Sequence, residues 1–152
     1  MSYEERLKEL GITLPPPPRP VAAYVPTVRT GNLLFVSGQV NFLDGKLTHT
    51  GKLGAELTVE EGYQACRDAV INALAAIKGE LGSLDRVERI VKLVGYVASA
   101  PGFHDQPRVV NGASELLVEI FGEAGKHARA AVGAAELPVG APVEIELIVE
   151  VR

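Results

Sequence analysis

The 152-residue chain has very little of what several common classes of protein depend on. It contains one cysteine, Cys66, which excludes a disulfide within the chain. No apolar run approaches the roughly 18 residues that a membrane-spanning helix needs. The first stretch, "MSYEERLKEL", lacks the basic and apolar regions of a secretory signal. These absences predict a protein of the cytoplasm that has no membrane partner.

Positive charge and metal-ligand patterns are also scarce. The chain carries 15 Lys and Arg against 19 Asp and Glu, a net charge of −4 at pH 7, and no basic cluster exceeds two residues. A nucleic-acid partner is therefore not expected. His49, His104 and His127 do not have the spacing of metal ligands, and we expect all three on the surface or in loops. Cys66 falls on the apolar stripe of a predicted helix, which indicates a buried thiol and not a nucleophile.

The start of the chain differs from the remainder. "SYEERLKELGITL" has a short helical pattern, with Leu7 and Leu10 on one side and Gly11 at its end. The "PPPPRP" that follows cannot form a helix or a central strand and predicts polyproline II. We interpret it as a stiff spacer that lays the arm on the domain surface, and a docking ligand for a proline-reading module is the alternative. The sequence thus predicts an arm over residues 1–20 and one domain over 21–152, with the core starting near Val21.

The domain alternates strand and helix patterns. "VAAYVPTVR" and "NLLFVSGQVNF" predict a hairpin. A helix is predicted from the Thr58–Glu61 capping box to Gly82, followed by the strand "RVERIVKLVGYVAS". A second helix in "HDQPRVVNGASELLVEIFGEAG" precedes two strands, "RAAVGAAEL" and "APVEIELIVEV". This β-β-α-β-α-β-β order predicts an α+β fold with both helices on one face of the sheet.

In the last strand, apolar and acidic residues alternate. The odd positions from 143 to 151 are apolar and are expected to face the helices, whereas Glu144, Glu146 and Glu150 point the other way. If "LPVGAP" turns the chain into a hairpin, Arg129 lies opposite about Glu150 and shares the acidic face with Ala131, while Val132 faces the helices. No helix is left to cover that second face, which favours self-association.

Three motifs together resemble one family. "SGQ" at 37–39, Asn111 on the second helix and "RAAVGAAELPVGAPVEIE" at 129–146 are similar to the RidA family of enamine/imine deaminases, once also called L-PSP endoribonucleases. The resemblance runs from about Pro20 to the C-terminus. It implies a chorismate mutase-like fold, a homotrimer whose sheets close into a central barrel, and ligand pockets at the subunit boundaries. It also implies hydrolysis of 2-enamine or 2-imine acids to 2-keto acids and ammonia, with no metal or organic cofactor.

The resemblance also implies roles for individual residues. Arg129 would hold the substrate carboxylate, and Glu144 would act on the hydrolytic water. The implied pocket-lining residues are Tyr24, Ser37, Gly38, Asn111 and Ala131. Ala131 stands where many members carry a cysteine, and its backbone can still make the contacts of that position. The N-terminal arm and the extra length between Asn111 and Arg129 suggest a divergent subgroup.

Geometry limits how these residues can combine. In the predicted hairpin, Glu144 lies six positions along the strand from Arg129, or ~20 Å at ~3.3 Å per residue. Both can serve one pocket only if Glu144 comes from a neighbouring subunit.

The same residues also allow other interpretations. A trimer that binds small carboxylates without turnover would need Arg129 but release no ammonia. From the residues alone, Arg129 could be a cross-strand partner of Glu150, and Glu144 a solvated strand residue. RNA cleavage has been claimed within the family, and the acidic balance argues against it.

Overall fold

The structure, a computed structural model, describes residues 1–19 and 23–152. The predicted start of the core near Val21 lies outside the described residues. The helices are α1 (Tyr3–Glu9), α2 (Val59–Leu81) and α3 (Gln106–Phe121). The strands are β1 (Thr27–Thr30), β2 (Leu33–Gln39), β3 (Phe42–Leu43), β4 (Lys46–Leu47), β5 (Val87–Ala98), β6 (Ala128–Ala134) and β7 (Val143–Val151). The α+β class and the predicted element order are confirmed, and β3 and β4 add a small hairpin between β2 and α2.

One five-stranded sheet forms the centre of the fold, in the order β1-β2-β7-β5-β6. β1 and β2 form the predicted hairpin around a two-residue turn at Gly31, whose φ of 57° suits glycine. β7 lies between β2 and β5 and is antiparallel to both. β6 pairs with β5 in parallel at the edge of the sheet.

The predicted pairing of β6 with β7 is wrong, because β5 lies between them. α3 carries the chain from the end of β5 back to its start, so β6 docks beside β5 as the second strand of a β–α–β unit. Arg129 therefore lies beside Leu93 and not beside Glu150. The neighbour of Glu150 on β5 is Arg89. The cross-strand role that the residues alone allowed for Arg129 is thus excluded.

The predicted faces of β6 are also inverted. Residues that pair across neighbouring strands point to the same face, and Leu93 is buried on the helical face. Arg129 and Ala131 consequently project toward the helical side, and Ala131 packs against the core. Val132, expected to face the helices, is exposed on the opposite, open face.

The other core predictions hold. The odd residues of β7 are buried and its even residues are not. α2 begins with the predicted Thr58–Glu61 capping box and ends at Gly82, and Cys66 is buried in its middle. Every residue of α3 that the sequence placed toward the core is buried: Val109, Val110, Ala113, Leu116, Leu117 and Ile120. None of the helices in the described residues is both long and apolar enough to span a membrane.

The N-terminal segment packs onto the domain. α1 forms as expected, with Leu7 buried in the main core. The Tyr3 ring contacts the Phe121 ring edge-on at 4.7 Å between centroids. Within the proline run, Pro17 lies directly over Gly79 of α2. The proline segment therefore contacts α2 at this point.

Candidate functional site

Arg129 lies on the exposed edge strand β6 and is held by neutral groups. Its Nη1 donates to Asn111 Oδ1 at 2.8 Å and to Ser114 Oγ at 3.3 Å. Among residues 1–19 and 23–152, no carboxylate lies within 4.0 Å of its guanidinium. A guanidinium that is oriented but not neutralised is suited to an anionic ligand from outside the chain.

The helix α3 supplies both of these acceptors. Asn111 and Ser114 are three residues apart and therefore lie on the same side of the helix, which faces β6. The neighbours of Arg129 on β6 are small residues, and Ala131 projects to the same face as the guanidinium. The predicted pocket residues Arg129, Asn111 and Ala131 are therefore brought together.

His127 completes this group of side chains. Its Nδ1 lies 2.6 Å from the Gly125 carbonyl oxygen, and its Nε2 lies 2.9 Å from Ser114 Oγ. Burial lowers the pKa of His127, and the Arg129 charge lowers it further, whereas the hydrogen bond to Gly125 opposes them. The sequence placed His127 correctly in a loop but gave it no role, and its only local signal is its position two residues before Arg129.

A second group of predicted residues surrounds the end of β2. Ser37 Oγ donates to the Val25 carbonyl at 2.6 Å, and its backbone N–H donates to the Pro26 carbonyl at 2.8 Å. These bonds tie β2 to the segment that carries Tyr24, whose side chain is exposed. The pairing of β2 with β7 is irregular between Val36 and Gln39, which re-aims the backbone at Gly38.

Glu144 on β7 belongs to this second group. Its carboxylate lies directly over Gly38, where a Cβ would collide with Oε2 and come within 2.9 Å of Cδ. Burial raises the pKa of Glu144, and the nearby Glu146 raises it further. Glu146 itself accepts a hydrogen bond from Tyr96 Oη at 2.9 Å. Glu144 therefore binds a proton more readily than an ordinary glutamate does.

The two groups lie apart within one chain. β7 and β5 separate β2 from β6, a distance of about 14 Å at ~4.8 Å per strand. Glu144 pairs through Tyr96 with Val132, three positions beyond Arg129 on β6. Arg129 projects to the helical side and Glu144 to the open side. The ~20 Å separation expected from the sequence assumed that β6 and β7 form a hairpin, which they do not. The side chains of Arg129 and Glu144 nevertheless lie apart.

Beside its glutamates, the open face of the sheet carries exposed apolar side chains. Val28 is 55% exposed, Phe35 42% and Val132 43%. A cavity of about 410 Å³ lies on this face, between Phe35 and Glu146. Among the described residues, no group of three or more His, Cys, Asp or Glu side chains converges to hold a metal ion.

Comparisons with known proteins agree with one another. The family profile described as "YjgF/chorismate mutase-like, putative endoribonuclease" matches residues 4–151. Protein TCP17 of Trypanosoma cruzi is 47% identical over 147 residues, covering 96% of this chain and 92% of that protein. A 2-iminobutanoate/2-iminopropanoate deaminase of Dermatophagoides farinae is 30% identical over 143 residues, covering 93% of this chain and 95% of that protein.

A solved structure from Shewanella oneidensis, described as a "putative endoribonuclease", superimposes with a TM-score of 0.95 at 38% identity. The match covers 99% of this chain and all of that one, so the N-terminal arm is shared with this relative.

Proposed function

The chain belongs to the YjgF/RidA-like family, and from that premise we propose that it hydrolyses reactive 2-enamine and 2-imine acids, such as 2-iminopropanoate, to 2-keto acids and ammonia. The observation that carries this proposal is Arg129, an exposed guanidinium oriented by neutral acceptors and not paired with a carboxylate among the described residues. The relative named as an imine deaminase supports the substrate class. Part of the proposal is that the protein acts in the cytoplasm.

The proposed active unit is a homotrimer in which each pocket combines residues of two subunits. One subunit would contribute the Arg129 group and its neighbour the group of Tyr24, Ser37, Gly38 and Glu144. Two observations support this arrangement: the groups lie apart within one chain, and apolar side chains such as Val28 and Phe35 are exposed on the open face of the sheet. Burial of that face between copies would be favourable by the hydrophobic effect.

Arg129 would orient the substrate. Its two Nη1 protons are directed at Asn111 and Ser114, so the edge formed by Nε and Nη2 is left to bind both oxygens of the substrate carboxylate. Such a bidentate bond fixes the position of the neighbouring C=N carbon, and holding the reactants in place removes much of the entropic barrier.

Glu144 of the neighbouring subunit would act on the water. Burial and the nearby Glu146 raise its pKa, which makes it a stronger base than an ordinary glutamate. Glu144 accepts one proton as the water oxygen bonds to the protonated imine carbon, which gives a carbinolamine. Glu144 returns that proton to the amino nitrogen and then accepts the hydroxyl proton, so that the C–N bond breaks and ammonia leaves as the carbonyl of the keto acid forms.

The experiment measures the decay of freshly generated 2-iminopropanoate, and the release of ammonia, with the purified protein. The wild type should accelerate the decay, and Arg129→Ala should abolish the acceleration without changing the oligomeric state. Arg6→Ala is the matched control, because it removes an equal charge from α1, where Arg6 contacts Glu9 and the Glu119 carbonyl.

The alternative, a trimer that binds small carboxylates without turnover, gives a different result. The wild type would then bind pyruvate in a manner that depends on Arg129, but would release no ammonia. That outcome would refute the proposed deaminase activity and support a carboxylate-binding site at Arg129.

A further inference from the structure

We propose that His127 and Ser114 form a positioning relay that fixes the guanidinium of Arg129 for the substrate carboxylate. The inference rests on the proposed function, since it concerns the same arginine. Neither residue is expected to touch the substrate: His127 acts through Ser114, and Ser114 acts through Arg129. Both are therefore positioning residues.

The hydrogen bonds of the relay can run in only one direction. The Gly125 carbonyl can only accept, so His127 Nδ1 carries the proton, and Nε2 of the neutral ring is an acceptor. Ser114 Oγ accepts from Arg129 Nη1 and has one proton of its own, which it donates to His127 Nε2. The backbone at Gly125 thus sets the tautomer of His127, and the tautomer sets the direction of the Ser114 hydroxyl.

The relay matters for binding because it determines which donors of Arg129 remain available. Asn111 takes one Nη1 proton and Ser114 takes the other. Among the described residues, Nε and Nη2 of Arg129 donate to no protein acceptor. Without the Ser114 lone pair, Nη1 would keep one proton without an acceptor. The exposed Arg129 side chain would then be held by one hydrogen bond, to Asn111, and could rotate about it.

Protonation of His127 would reverse the relay. Nε2–H would then point at Ser114 Oγ, and the hydroxyl would have to turn away from the ring. An imidazolium would also stand close to the Arg129 cation. The groups facing His127 are the uncharged Ser114 hydroxyl on α3, the Gly125 carbonyl of the preceding turn, and the Arg129 guanidinium on β6. Since burial lowers the pKa of His127 below its usual 6.5, the ring is neutral at pH 7, and the change falls on the acid side.

Steady-state kinetics with 2-iminopropanoate test the relay. Ser114→Ala and His127→Phe should each raise KM by about tenfold, with a smaller change in kcat, because the lost interaction orients the bound carboxylate. Ser114→Thr keeps the hydroxyl and should restore the KM of the wild type. His104→Phe is the matched control, since His104 is an exposed loop histidine, and it should leave KM unchanged.

The pH profile supplies a readout that a purely structural role would not move. In the wild type, 1/KM should fall as the pH drops through the pKa of His127, and this acid limb should be absent from His127→Phe. An unchanged KM in both Ser114→Ala and His127→Phe would overturn the relay. So would an acid limb that persists without the histidine.

Nitrogen NMR of the wild type tests the relay without mutation or turnover. The ring should carry its proton on Nδ1 at pH 7, and the Arg129 Nε–H signal should shift as His127 titrates. A proton on Nε2, or an Arg129 signal that does not respond, would overturn the relay. If the wild type hydrolyses no imine, the proposed deaminase fails, and these NMR results still decide the relay.

Discussion

At the scale of single residues, the absence of one methyl group at Gly38 decides where Glu144 can lie. The carboxylate occupies the space that a Cβ on residue 38 would fill. The colliding atoms belong to the far end of a flexible side chain, so a methyl group there would displace the carboxylate while sparing the backbone. Gly38 therefore offers a way to move the proposed base without removing it.

Gly38→Ala should lower kcat by about tenfold or more, because a displaced base loses much of its general-base contribution of 10² to 10⁴. Steady-state kinetics with 2-iminopropanoate measure this change, and thermal unfolding should remain close to that of the wild type. In a Glu144→Gln background the same substitution should have little further effect, because both changes act through one carboxylate. Additive losses in the double variant would contradict the interpretation.

At the scale of secondary-structure elements, α2 and α3 approach each other closely at Gly112. A Cβ on this glycine would overlap the backbone carbonyl of Tyr63 on α2. Backbone atoms on both sides leave nothing that can rotate out of the way. The helices α2 and α3 can therefore keep their present spacing only with glycine at position 112. Because α3 also carries Asn111, this spacing bears on the candidate site.

Gly112→Ala should lower the free energy of unfolding by about 1–3 kcal/mol, because overpacking outweighs the gain in helix propensity of up to about 1 kcal/mol. Urea denaturation followed by circular dichroism measures the loss. Gly79→Ala is the matched control inside α2, where the added methyl group would meet only the Pro17 side chain. That variant should lose less, and an equal loss in the two variants would contradict the account of the α2–α3 contact.

The elements also show how far the sequence predicts this fold. α2 was predictable because its capping box and terminal glycine are local signals. The partner of β6 was not, because its run of small residues fits either face of a sheet and strands adjacent in sequence usually pair. Arg129 and Asn111 were found through family motifs. The place of Ser114 and His127 beside Arg129 depends on how α3 packs against β6, which no local pattern reveals.

At the scale of the whole molecule, the proposed pocket needs more than one chain. The residues that would hold the carboxylate and the residue that would act on the water project from opposite faces of one sheet. A closed ring of subunits, each presenting the Arg129 edge to the Glu144 region of the next, would reunite them. Activity then becomes a property of the interface, which can be tested by mixing inactive proteins.

Arg129→Ala and Glu144→Gln subunits, each inactive alone, should recover activity when they are mixed and reassembled. An interface between an intact Arg129 and an intact Glu144 forms in about a quarter of the boundaries of a random, equal mixture of a cyclic assembly. Ammonia release from the reassembled mixture measures this recovery, and each variant reassembled alone is the control. If mass spectrometry shows that subunits exchange but activity does not recover, the shared pocket is refuted. Arg129 and Glu144 would then act in a site within one chain, or one of them would have no role in the reaction.

The central place of β7 in the sheet also bears on how the protein is made. The strand β7, residues 143–151, follows the other four strands of this sheet in the sequence, yet it separates β2 from β5. Until β7 emerges from the ribosome, the nascent chain can form the β1–β2 hairpin and the β5–α3–β6 unit. No hydrogen bonds between strands join these two units without β7. Assembly of the sheet therefore waits for β7 and depends on contacts distant in sequence, which slow folding and prolong the exposure of unpaired strand edges.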